Sequence, residues 1–305
     1  MEPVVIWELV LRGFALGALA AIAAGLWRSG IETIRIAGIL LTASAAAYVL
    51  NSSGLTRDAL GFASLPVPLL ALGGAGWFWH FIVTLFEDRP ISPTTLTAGG
   101  ILTAVGLVGW LGRQEMSSPI WIGHNLIEAG CAIHGLFVIA NSWRGDLVEA
   151  RRRLRGPVLA VVTIYVIALS GFEIGEGLGL GQPWFPIAGA AALAFMCGLG
   201  AVAFLQAQPE LFGSAHAASA PANGLDAGGR LLLSKLETLM AEGEAWKREG
   251  LTIGALAEEI GAPEHKLRRL INDHLGFRNF AAFVNARRIE AAKTRLADPA
   301  KARES

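Results

Sequence analysis

Two groups of residues in this chain have types and spacings that could do chemistry. His124 and Glu128 lie four residues apart in an apolar run, so a helix puts them on one face, with Asn125 beside them and Cys131 continuing that face. Glu173 and Glu176 stand near the end of a later apolar run, just before Gly177-Leu178-Gly179. Imidazole and carboxylate groups among apolar helices are costly unless they meet one another or a ligand. Brought together, His124, Asn125, Glu128, Glu173 and Glu176 would form a pocket for a cation, a metal or a basic ligand. Alternatively they hydrogen-bond one another and hold helices together. The second group is Glu264, His265, Lys266, Arg268, Arg269, Asn272 and Arg278, in a basic stretch near the C-terminus. Arg and Asn are the side chains that read guanine and adenine edges in the major groove, while Lys266 and Arg278 suit phosphates. No HExxH, GxSxG, Walker or DxD-type motif occurs. No catalytic residue, cofactor or metal site is therefore assigned, and the chain does not read as an enzyme.

The elements that must carry these groups are of two kinds. Of 305 residues, 53% are hydrophobic and 16% charged, whereas a water-soluble chain has about a quarter charged. The shortfall is confined to one part. Residues 1–226 hold 11 basic residues, all Arg, and all five Lys lie beyond them. Apolar runs long enough for a helix to cross a bilayer, about 20 residues, recur at roughly 4–27, 35–51, 65–86, 93–112, 119–142, 157–178 and 185–207. They are continuous, which favours helices over a barrel. The expected fold is all-α: a seven-helix transmembrane bundle over 1–207, a flexible Ala/Ser/Gly/Pro linker over 208–229, and a small helical domain over 230–305.

The first run opens with Glu2 where a signal peptide would be basic, so it is expected to stay as a helix. In it, Glu8 and Arg12 are one turn apart and can pair. With the N-terminus outside, the inner loops carry Arg28, Arg35, Arg89, Arg144, Arg151, Arg152, Arg153 and Arg155, the outer ones only Arg57 and Arg113. That bias orients the spans so that the tail is expected in the cytoplasm, and the expected location is a bacterial inner membrane. Trp7, Trp27, Trp110, Trp121, Trp143 and Trp184 near run ends agree. His80 and His134 are expected to be satisfied core residues, His216 an exposed linker residue, and Cys131 and Cys197 packed thiols.

In the tail, Leu231, Leu232, Leu236, Leu239 and Met240 recur at helical spacing to about Arg248. A short helix follows that Thr252 can cap, with Ile253, Leu256, Ala257 and Ile260 apolar. Gly261 ends it. Pro263 opens a second helix to about Leu275, turning Leu267, Leu270 and Ile271 inward and Glu264, His265, Arg268, Arg269 and Asn272 outward. Two short helices about a glycine turn predict a helix-turn-helix. Residues 263–305 carry ten Lys/Arg against five Asp/Glu, which strengthens the DNA-binding reading.

Residues 276–296 then continue with Gly276, Phe280, Phe283, Arg288, Ala292 and Leu296. Together with Ala257, Gly261, Leu267 and Leu270, this spacing resembles the AraC/XylS family over about residues 230–300. The resemblance implies a sequence-specific transcription regulator with a first helix-turn-helix and a linker helix. Pro263 stands where the family has an N-capping Ser. The family's domain goes on to a second helix-turn-helix, whereas this sequence stops at Ser305. DNA binding by this chain is accordingly expected to be weak, phosphate-led and salt-sensitive, with a homodimer able to restore a second half-site.

The sequence thus predicts a membrane-embedded one-component regulator with the lipid bilayer, DNA and an unnamed small-molecule or ion signal as partners. The alternatives are a transporter or membrane enzyme with a partner-binding tail, and a membrane scaffold whose Leu231–Met240 stripe binds another protein.

Overall fold

The computed structural model describes residues 3–28, 30–61, 66–112, 114–143, 145–149, 152, 182–205 and 225–297. Among them every regular element is helical, and one isolated bridge joins Asp146 to Asn279. The chain forms two compact units: Met1–Asn141 with Arg153–Gly213, and Ser142–Arg152 with Ser214–Ser305.

The first unit contains α1 (Pro3–Trp27), α2 (Glu32–Asn51), α3 (Gly54–Leu60), α4 (Pro66–Ala71), α5 (Gly74–Glu87), α6 (Pro93–Leu111), α7 (Gln114–Ser142) and α8 (Phe185–Leu205). α1 packs along α8 and α2, α2 also meets α4 and α5, and α5 lies against α6. Five of these helices are long and apolar enough to cross a bilayer: α1, α2, α6, α7 from Pro119, and α8 to Ala203. Apolar side chains such as Trp7, Phe14, Val108, Leu126, Phe137 and Phe195 stay exposed along them, as suits helices whose outer faces meet lipid. The chain has the helices of a membrane protein.

One of the seven expected spans differs, and one is not described. The run 157–178 lies outside the described residues. The run 65–86 is not one helix but two, α4 and α5, parted at Leu72 and Gly73. The cause is local: Pro66 and Pro68 sit at its start, and Gly73, Gly74 and Gly76 cluster at the break, where glycine lets a helix kink. Gly76 has a second reason to be glycine. A Cβ there would stand 2.4 Å from the backbone nitrogen of Gly99, so its absence lets α5 and α6 touch backbone to backbone.

The Glu8–Arg12 pair forms as expected, with Arg12 Nε 3.0 Å from Glu8 Oε1 and both side chains buried. Arg12 also donates to the Val49 carbonyl (2.5 Å), the Ser52 hydroxyl (2.7 Å) and the Ser52 carbonyl (3.3 Å). It therefore serves the carbonyls at the end of α2, which have no partner within their own helix.

The second unit contains α9 (Ala227–Ala241), a 3₁₀ turn (Ala245–Lys247), α10 (Ile253–Ile260), α11 (Glu264–Arg269, running into a π turn over Leu270–His274) and α12 (Phe280–Ala297). α9 starts earlier than expected, because Asp226 Oδ1 accepts from the Gly229 amide and caps it. It also ends at Ala241, before Arg248, and Glu244 opens the 3₁₀ turn in a left-handed conformation (φ 45°). Thr252 caps α10 by accepting from the Ala255 amide, and Gly261 ends that helix at φ 70°. Pro263 precedes α11 rather than forming its first turn. Leu236, Met240, Ile253, Leu256, Leu267, Ile271, Phe280 and Phe283 make the core, and Phe277 packs edge-on to Phe283 at 5.4 Å. Leu231 of the expected stripe points outward, 60% exposed. Arg288 fastens α12 to the 3₁₀ turn by donating to the carbonyls of Trp246 and Arg248.

Candidate functional site

In the first unit, the break between α4 and α5 and the polar face of α7 come together. His124 is buried, and its Nε2 lies 3.1 Å from the Leu72 carbonyl oxygen. A carbonyl freed where a helix breaks needs a donor, and in an apolar surrounding only the protein can supply it. With Nε2–H donating to Leu72, the other nitrogen is left facing Glu128, whose Oε1 is 3.9 Å from Nδ1. That gap is too long for a direct hydrogen bond. A proton on Nδ1 would turn the pair into a close ion pair. Trp121 packs edge-on against the imidazole at 5.4 Å. Asn125 and Cys131 are half-buried beside the pair. Glu173 and Glu176 lie outside the described residues. Among the described residues no group of three or more His, Cys, Asp and Glu could hold a metal ion.

His80, expected to be satisfied, is fully buried with no hydrogen-bond partner on either ring nitrogen, and Thr84 Oγ1, one turn later, is likewise unpartnered. His134 accepts a hydrogen bond from Trp79 Nε1 at 2.8 Å.

In the second unit, α10 and α11 meet across the Gly261 turn, with Ala257 buried and Gly254 against Glu264. α11 presents Glu264, His265, Lys266 and Arg269 to the outside, with Asn272 and Arg278 half-buried. Asn272 Nδ2 donates to Asp273 Oδ1 at 2.9 Å.

Arg268 departs from the expected outward position. It is 7% exposed. Its Nε donates to Glu264 Oε1 at 2.8 Å, its Nη2 meets the same oxygen, and its Nη1 donates to the Asp146 carbonyl at 2.6 Å. The physical reason is a segment that the linear sequence gives no cause to place there. Residues 145–149 lie along the start of α12: the Leu147 amide donates to the Arg278 carbonyl (3.1 Å) and the Phe280 amide to the Gly145 carbonyl (2.9 Å). Leu147 inserts into the core, 3% exposed. Asp146 is buried, and its Oδ1 accepts from the Val148 amide. Sequence reasoning missed this segment altogether. It also missed Leu72, although the glycines at 73, 74 and 76 were a usable sign of a broken helix.

Glu259 and Arg248 form a two-point pair on the tail surface, Nη1–Oε2 2.5 Å and Nη2–Oε1 3.0 Å. The hydrogen bonds from Arg248 hold the Glu259 carboxyl below its ordinary value, and the same pair raises Arg248. Compared with protein-family models, curated proteins and solved structures, the chain matches none.

Proposed function

We propose that this chain is a membrane-embedded one-component transcription regulator. Its tail would bind DNA through a helix-turn-helix made by α10 and α11, and its apolar helices would sense a signal. The observation that carries the reading is the outer face of α11, where His265, Lys266 and Arg269 stand together and exposed on a helix that follows a tight glycine turn. A helix of that kind enters the major groove while its cations meet base edges and phosphates. The AraC/XylS-like spacing from Ala257 to Leu296 favours the same reading. The signal would act at the pair of buried His124 and half-buried Glu128, where the break between α4 and α5 leaves backbone beside an ionisable side chain. The test is genome-wide occupancy by the full-length protein in its membrane. Enriched sites that disappear in Arg269→Ala support the proposal; no sequence-specific enrichment anywhere ends it.

The broken helix also favours a second reading, a transporter with a partner-binding tail, since interrupted helices line substrate paths in many transporters. In that case His124→Ala and Glu128→Ala abolish uptake while Arg269→Ala leaves it unchanged.

A further inference from the structure

We infer that residues 145–149 are a detachable strap across α11 that keeps Arg268 from any outside partner. The strap follows α7 in the chain, yet it folds with the tail. It is held by backbone pairing with residues 278 and 280, by the hydrogen bond from Arg268 to the Asp146 carbonyl, and by the Leu147 side chain, with Asp146 and Val148 buried on either side of it. All of these can be given up without dismantling what lies beneath. Of the fourteen residues buried in the tail core, Leu147 is the one that comes from the strap; the others lie between Leu236 and Val284. Removing the strap therefore leaves α9 to α12 with their shared core.

What the strap hides has a definite chemistry. Arg268 sits between Leu267 and Arg269, so it borders the exposed face of α11. Its guanidinium is occupied by a carboxylate on its own helix and by a carbonyl of the strap, the acceptors that a guanine edge or a phosphate would replace. Withdrawal of the strap exposes Arg268 beside Arg269 and adds a second fork of donors to the same face. The strap follows in sequence the helix that carries His124 and Glu128. Opening of the strap stands independently of the DNA-binding reading; its consequence for DNA rests on that reading.

Hydrogen exchange on the full-length protein in lipid nanodiscs tests the strap without any ligand. In Leu147→Asp, and in the milder Arg268→Gln, the amides of Leu147 and Phe280, the two that donate across the strap, should lose protection together, by about tenfold or more. Those of α10 and of 284–295 in α12 should keep theirs. Protection at Leu147 and Phe280 that is unchanged in both variants overturns the strap. So does loss of protection in α10 along with it, because the segment is then an inseparable part of the core. Genome occupancy of Leu147→Asp supplies the second arm: it should rise above the unsubstituted protein, and a fall overturns the inhibitory role. Absence of enriched sites in every variant refutes the DNA-binding reading, while the exchange result still decides whether the strap opens.

Discussion

Replacing Arg12 tests how the first two helices are joined. Arg12 and Glu8 are both buried, and Arg12 serves three oxygens at the end of α2 besides the carboxylate. Arg12→Leu strands a buried carboxylate and takes a donor from the Val49 and Ser52 carbonyls, so it should cost about 3–5 kcal/mol, the range for breaking a buried pair from one side. Glu8→Gln removes the partner charge but leaves the guanidinium its three α2 acceptors, so about 1–3 kcal/mol is expected, the cost of one charged hydrogen bond. In the double variant no charge is left buried. It should cost less than the sum of the single changes by about 1–3 kcal/mol, a coupling of the size seen for residues in direct contact. The assay is reversible unfolding in mixed micelles of lipid and dodecyl sulfate, followed by tryptophan fluorescence. Costs that add within about 0.5 kcal/mol would show the two side chains to be energetically independent and refute the reasoning.

Three further outcomes follow from features already described. His124→Phe deprives the Leu72 carbonyl of its donor and should destabilise the first unit by about 1–3 kcal/mol; a melting temperature equal to that of the unsubstituted protein would contradict this. Gly76→Ala places a carbon 2.4 Å from Gly99 nitrogen and should cost about 1–3 kcal/mol, whereas Gly100→Ala, whose Cβ meets nothing within 4 Å, should be neutral in the same thermal assay. The Glu259 carboxyl is held below its ordinary 4.5 by the hydrogen bonds from Arg248. Its contribution is complete above that ordinary value and is lost as pH falls through the lowered one. Tail unfolding followed by exchange across this acid range should show a slope that Glu259→Gln flattens; an identical slope in the variant would count against the pair.

What could be read from residues alone depended on how local the cause was. Glu8 and Arg12 announce their pairing by a four-residue spacing, and Thr252 and Gly261 announce the ends of α10 because a hydroxyl cap and a left-handed glycine act within one turn. The split of the run 65–86 is legible in Pro66, Pro68, Gly73, Gly74 and Gly76, but the expected span rests on apolar content, which alone does not distinguish one long helix from two short ones. The Gly76–Gly99 approach depends on which helices are neighbours, which no local pattern encodes. For the candidate sites the same division holds. The shared face of His124 and Glu128 follows from helical periodicity, but the role of His124 toward Leu72 does not, since its acceptor is a backbone atom far away in sequence. Arg268 shows the limit most plainly. Helical periodicity placed it at the edge of the outward face of α11, and a segment more than a hundred residues earlier covered it.

The π turn over Leu270–His274 has an implication for length as well as shape. The Leu275 amide reaches back five residues to Leu270, so this turn holds one residue more than an α-helix would need. Deleting a single residue there while the wide winding persists would rotate everything downstream by roughly a quarter turn. Phe277 would leave its place against Phe283, and Gly276, with its φ of 77°, would no longer fall where the chain reverses. The spare residue thus acts as a spacer that sets the phase between α11 and α12.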